Sequence, residues 1–258
     1  MLKKTALFLA VLLVAAPSLM AEDLTLDQIL EKNIEARGGA DAWESVKSAK
    51  IEGTMVMGGA MEMPVTMTFK RPNMIHFQME MQGQKIVQAY DGTSGWQVMP
   101  MMGNPDPQKM SDEESKNVRR QSDFEGPLYN YKEKGHQVEL VGKEDVEGTE
   151  AYKIKITLKS GDVVHSYIDS EYFLEFKQVY EINNAQTGQD MTMNTLVGDY
   201  KEAGPILLAH SMEMVAEGAP QGMSIIFNTV EVNVDVDDAF FTMPEAKEAP
   251  AAAADGGR

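Results

Sequence analysis

The side chains in this sequence whose spacing carries chemical information are methionines. Twenty occur among 258 residues that include no cysteine, and they recur two apart: Met55/Met57, Met61/Met63, Met79/Met81, Met191/Met193 and Met212/Met214. A thioether is soft and polarisable, so it ligates ions such as Cu(I) and also packs against apolar partners of variable shape. Residues two apart in a strand share a face, which turns each pair into a stripe. Between residues 61 and 70 one parity reads Met61, Met63, Val65, Met67, Phe69, and the other reads Glu62, Pro64, Thr66, Thr68, Lys70. Between 74 and 82, Ile75, Phe77, Met79 and Met81 alternate with His76, Gln78, Glu80 and Gln82. The methionines thus share their faces with Phe69, Ile75 and Phe77. Val and Ile specify a sheet core more sharply, so the pattern reads as a plastic apolar cavity, with an ordinary loosely specified core as the other reading. The candidate lining is Met55, Met57, Met61, Met63, Met67, Phe69, Ile75, Phe77, Met79, Met81, Met191, Met193, Met212 and Met214. Trp96, in phase with Val98 after the Asp91-Gly92 turn, is either a further lining residue or hairpin packing.

Other chemistries find little support. His76, His136, His165 and His210 are scattered without metal-ligand spacing, so no metal site is assigned and soft-metal handling through the Met pairs stands as an alternative. Neither H-E-x-x-H nor a P-loop occurs, and Gly92-Thr93-Ser94-Gly95-Trp96 lacks the last glycine of a nucleophile elbow. No enzymatic activity and no cofactor is expected. The formal net charge of −17 repels nucleic acid and anionic membranes, excluding the former as a partner.

Residues 1–21 have the three parts of an export signal: Lys3 and Lys4, an apolar run over residues 6–16, and small residues ending at Ala21, after which cleavage is expected. The run has 11 residues, against about 20 for a membrane-crossing helix. A periplasmic protein follows, with no cysteine to carry an N-terminal lipid. Residues 245–258 lack aromatic and β-branched side chains and read as a disordered tail.

Residues 22–244 then form one domain. Residues 23–37 place Leu26, Ile29, Leu30 and Ile34 on one helical stripe, with Thr25 as N-cap and Gly38-Gly39 as the stop. A second short helix over 41–46 brings Trp43 against it. From residue 48 the period is two, and Gly, Asn and Pro punctuate about a dozen strands. Residues 100–107 read as a loop, 111–121 as a helix capped by a serine with acids in its first turn, and 127–131 as another short helix. The expected fold is mainly β with a few helices. That many antiparallel strands curl, so the sheet is a strongly curved, incomplete barrel closed by helices, with the insertion at about 111–132 as a lid.

Phe69-Lys70-Arg71-Pro72-Asn73 closes one strand, and Tyr90-Asp91-Gly92-Thr93-Ser94-Gly95-Trp96 follows some twenty residues later, with Pro100 beyond it. This K-R-P turn and D-G-x-x-x-W hairpin resemble the LolA/LolB-like family of periplasmic outer-membrane lipoprotein carriers. The order of elements resembles that family over most of residues 24–243. The resemblance implies an unclosed barrel holding the acyl chains of a lipoprotein or lipid, membrane-associated donor or acceptor proteins, and Arg71 as a latch on the lid. The methionine content departs from the carriers. Residues 126–131 (G-P-L-Y-N-Y) and 199–202 (D-Y-K-E) look more like broader lipoprotein-sorting relatives. A sensor or adaptor for mislocalised lipoproteins stays open beside transport.

Overall fold

The computed structural model describes residues 24–184 and 189–245. The export signal and residues 246–258 of the expected tail lie outside the described residues.

The N-terminal helices form for local reasons. Helix α1 (Leu26–Ala36) starts with a capping box: the Gln28 N–H donates to the Thr25 hydroxyl at 3.3 Å, and the Thr25 N–H donates to the Gln28 side chain at 2.9 Å. It stops where Gly38 and Gly39 take φ of 110° and 90°. A Cβ at Gly38 would also meet the Pro205 carbonyl oxygen at 2.7 Å, so this glycine lets the helix end seat on the sheet. In α2 (Ala40–Ser45) Trp43 is fully buried, and its indole N–H donates to the Arg37 carbonyl at 3.0 Å.

The expected hairpins run as two meanders. One contains β1 (Ser48–Met57), β2 (Met61–Lys70), β3 (Met74–Met81), β4 (Gln84–Tyr90), β5 (Gly95–Met99) and β6 (Asn104–Lys109). The other contains β7 (Gln137–Val146), β8 (Thr149–Thr157), β9 (Val163–Asp169), β10 (Glu175–Asn184), β11 (Gln189–Ala203), β12 (Ile206–Ala216) and β13 (Met223–Val232). Antiparallel pairing of β1 with β13 joins them into one sheet of thirteen strands. Its edges are β6 and β7, which do not pair with each other, so the curved sheet is an incomplete barrel as expected. Bulges at Asn228 in β13, opposite Glu52/Gly53, and at Val141 in β7, between Leu140 and Gly142, add local bending.

This topology dictates a lid. The chain leaves the sheet at one free edge and re-enters at the other, so residues 110–136 must span the mouth between them. Helix α3 (Asp112–Gln121) lies on that crossing, capped by Ser111 in a second capping box with Glu114. It rests on the inner face of β3, β4 and β5. Close approach depends on Gly95, where a Cβ would stand 2.7 Å from the Ser115 Oγ and 2.9 Å from the Met110 Sδ.

Two segments differ from the sequence reading. Residues 100–107, expected as a loop, hold a 3-10 turn (Pro100–Met102) and then β6. Pro105 and Pro107 read as breakers, yet an edge strand needs amide donors on one side only, and the same prolines discourage a further strand from adding there. Residues 127–131, expected as a short helix, are turns.

The inner face carries two different cores. Under α1, Ile154, Ile156, Val164 and Ile168 pack with Ile29, Leu26 and Leu30, and strands β7 to β10 contain no methionine. Beside and beneath α3, Met55, Met63, Phe69, Ile75, Ile225 and Phe227 form the buried centre, with Met67, Phe77, Met79, Met81, Met214 and Met223 packed around it. Branched side chains with few rotamers specify the first core, and flexible thioethers fill the second.

Candidate functional site: a methionine face beneath a weakly anchored lid

Directly opposed residues in antiparallel strands share a face, so the register assembles the separate stripes into one surface. One row runs Met61, Met57, Met223, Met214 across β2, β1, β13 and β12. The next runs Met63, Met55, Ile225, Met212. Further in, Met79 faces Val65, and Phe77 faces Met67, which faces Ile51. Depth changes along the strands: Met63 and Met55 are 1% and 5% exposed, whereas Met61 and Met57 at the hairpin end are 47% and 45% exposed. Met191 and Met193 belong to β11, where Met193 opposes Tyr180 of β10 and Ala216 of β12, to one side of the buried centre.

Trp96 stands elsewhere. The register pairs it with Ala89, which faces His76, and His76 faces Thr68, the parity opposite to Phe69 and Ile75. It therefore lines the outer face and not the cavity. Its indole N–H donates to the Phe241 carbonyl at 2.7 Å, and the His76 ring lies between Trp96 and Phe240 at 5.9 and 4.4 Å. The hairpin turn set its phase, but only the pairing of β3 with β4 told which face that phase meets.

Helix α3 itself is held by little apolar contact, while Phe124, Leu128 and Tyr129 of the segment after it pack on the cores. Among α3 residues (D-E-E-S-K-N-V-R-R-Q) the single large apolar side chain is Val118, and it joins the methionine core with Met110 and Phe124 from the flanking segments. Phe124 wedges between Trp43 and Phe69, with ring centroids 5.6 and 5.2 Å away.

Polar contacts finish the closure. The Arg71 Nε–H donates to the Val46 carbonyl and its Nη2 to the Trp43 carbonyl, both at 2.7 Å, and Nη2 pairs with Glu125 Oε1 at 2.5 Å. Arg71 thus ties the β2–β3 turn and α2 to the segment that follows α3. Lys134 donates to Asp123 Oδ1 at 2.6 Å and to the Gly126 carbonyl at 2.8 Å, and Arg37 donates to the Glu125 carbonyl at 3.3 Å. Burial raises the Asp123 carboxyl above its ordinary value, with Lys134 opposing that shift. A groove of 370 Å³ opens beside this cluster, between α1 and residues 128–133.

Sequence reasoning missed the packing residues Met110, Val118 and Phe124, the carboxylate of Glu125 that pairs with Arg71, and Met223. Met223 belongs to no Met-x-Met pair, although its parity with Ile225 and Phe227 was there to be read. It also missed a polar seam next to the branched core. Ser166 donates to Glu175 Oε1, Gln178 donates to Glu175 Oε2 at 2.8 Å, and Tyr180 donates to Gln178 at 2.8 Å. Tyr200 donates to the Glu175 carbonyl at 2.6 Å.

Burial raises the Glu175 carboxyl, with Ser166, Arg37 and Gln178 opposing the shift. Burial likewise lowers the facing Arg37, offset by Tyr200 and Glu175. A raised acid binds its proton more tightly in the folded chain than in the unfolded one, so this group adds stability as pH falls through the raised value. The gain is complete below the ordinary value of 4.5. A Glu175→Gln variant is therefore expected to be the more urea-resistant protein at neutral pH and to lose that advantage near pH 4. Parallel urea midpoints at every pH would show that the carboxylate is not disfavoured there.

Comparisons with known proteins fit this architecture. No family model matches the chain, and no curated protein matches it. Solved structures do. A LolA superfamily protein from Nitrosomonas europaea superposes with a TM-score of 0.57 at 14% identity, covering 85% of this chain and 98% of that one. The fold is LolA-like. A DUF1329 family protein from Desulfovibrio piger shares this LolA-like fold with a TM-score of 0.57 at 13% identity, over 84% and 96% of the two chains. A domain classed with outer membrane lipoprotein-sorting proteins, from Vibrio parahaemolyticus, gives 0.56 at 12% identity, over 83% and 94%.

Proposed function

We propose that this protein is a non-enzymatic periplasmic carrier that shelters acyl chains of lipoproteins or lipids on its methionine face, beneath α3, for sorting toward the outer membrane. The observation that carries the reading is the contrast between the two helices. The branched core is covered by α1, which presents Leu26, Ile29 and Leu30, while the adaptable core lies under a helix with one apolar anchor, Val118. A helix with so little apolar contact of its own lifts at lower cost than α1, and what it uncovers suits chains of variable length. Each buried CH₂ contributes about 0.8 kcal/mol, so several methylenes displace the few apolar contacts of α3 without any directional bond.

Arg71 and Glu125 serve as the latch that closes the empty protein. The LolA-like fold shared with a domain classed with lipoprotein sorting supports the cargo class. The acidic surface, net −17, favours hand-over between membrane-associated donor and acceptor proteins over direct insertion into an anionic bilayer.

Native mass spectrometry of the protein, purified gently from the envelope of its own cells, tests this. A heterogeneous added mass that extracts into organic solvent as acyl species is expected. An empty protein that also fails to bind a fluorescent fatty acid would overturn the carrier reading.

A further inference from the structure

We infer that Met57, Met61 and Met223 form a binding site for a soft monovalent cation, Cu(I) or its analogue Ag(I), at the rim of the methionine face. The three belong to adjacent strands in one row: Met61 faces Met57 across β2 and β1, and Met57 faces Met223 across β1 and β13. Directly opposed Cα atoms in antiparallel strands lie about 4.5–5.5 Å apart. Three unbranched side chains on one face at that spacing have the reach and freedom to turn their sulfurs toward a common point. Met214, facing Met223 on β12, stands next in the same row.

The local backbone holds this row together. Gly58 and Gly59 take φ of 60° and 73° in the turn that sets Met57 opposite Met61. The Gly58 N–H donates to the Gly222 carbonyl at 3.4 Å, tying that turn to the residue before Met223. Gly222 in turn has no room for a side chain, since a Cβ would lie 2.4 Å from the Met214 carbonyl oxygen. The ends of three strands are thereby drawn together at the point where the thioethers are.

Exposure separates Met57 and Met61 from the core below them, while Met223 in the same row packs partly against it. The second row supplies the buried packing, with Met63 and Met55 almost inaccessible, whereas Met61 and Met57 keep nearly half of their surface in water. At the rim Met57 and Met61 gain less from burial than the methionines below, and an aqueous ion can approach them. The donor set decides which ion. Among the described residues no group of three or more His, Cys, Asp or Glu side chains is arranged to hold a metal. Neutral thioethers discriminate against Mg²⁺ and Zn²⁺ and favour Cu(I). The net charge of −17 concentrates cations near the surface without supplying a hard ligand.

The experiment uses metal-free protein carrying ¹³C-methyl methionine, titrated with Ag(I) and followed by the methyl NMR signals, alongside Cu(I) competition against a chromophoric chelator. One equivalent is expected to move the Met57, Met61 and Met223 signals first. Met57→Leu and Met61→Leu keep an apolar side chain and are each expected to weaken Cu(I) binding more than about 10-fold, a loss that even outer partners of a metal produce. Met101→Leu and Met102→Leu, exposed methionines of the 3-10 turn, serve as controls and are expected to change nothing. Shifts spread evenly over all exposed methionines, no binding at one equivalent, or unchanged affinity in both rim variants would overturn the site. Fatty-acid binding by the metal-free protein is read separately, so failure of the carrier reading and failure of the cation site are distinct results.

Discussion

An Arg71→Ala variant is expected to lose about 2–3 kcal/mol of stability and to expose α3 to hydrogen exchange, because one side chain closes three contacts at once. Its guanidinium serves the carbonyls of Val46 and Trp43 and the carboxylate of Glu125. Removing it takes from the Val46 carbonyl the donor it has here, leaves the Trp43 carbonyl with the Val46 N–H alone at 3.2 Å, and leaves the Glu125 carboxylate, only 12% exposed, with Lys134 at 3.6 Å. The arginine itself keeps 31% of its side-chain surface in water, which places the loss below that of a fully buried pair. Arg71→Lys preserves the charge without the planar fork and should recover only part of the loss. Urea unfolding gives the magnitude, and amide exchange locates it. If the amides of residues 112–121 exchange at the parent rate in Arg71→Ala, Arg71 staples the β2–β3 turn to α2 and does not latch the lid.

Met79→Asp is expected to weaken binding of a fluorescent fatty acid by about 100-fold, from the roughly 3 kcal/mol cost of pressing an unpaired carboxylate against an acyl chain. Met79 packs at the edge of the methionine core and faces Val65 across the strand pair. Met79→Leu conserves the apolar volume and is expected to bind nearly as the parent does. Equal affinity for parent and aspartate variant would remove this face from the binding surface and leave the stripes as plain core.

Much of this molecule is legible without coordinates. Capping boxes at Thr25 and Ser111 fixed both helix starts, since the interactions that satisfy free amides lie within four residues. β1 and β2 follow from parity and the Gly58-Gly59 turn alone. β6 did not follow, because its prolines mean one thing in a central strand and another at an edge, and position in a sheet is not a local property. The lining reading of Trp96 failed for the same reason, leaving its hairpin packing: its alternation was plain, yet the side to which its phase points depends on a neighbouring strand.

The sequence by itself determined that stripes of methionine exist, that each shares a face with aromatic and aliphatic side chains, and that a polar helix interrupts the strands. Local sterics and period-two alternation suffice for that. Only the tertiary structure decided that Met57 and Met223, 166 positions apart in the chain, are neighbours. It also decided that α1 covers the branched core while α3 and its flanks close over the methionine core, and that Arg71 reaches Glu125. Those facts arise from the pairing of β1 with β13 and from a connection forced to cross between two unpaired edges, and no short-range rule encodes either one.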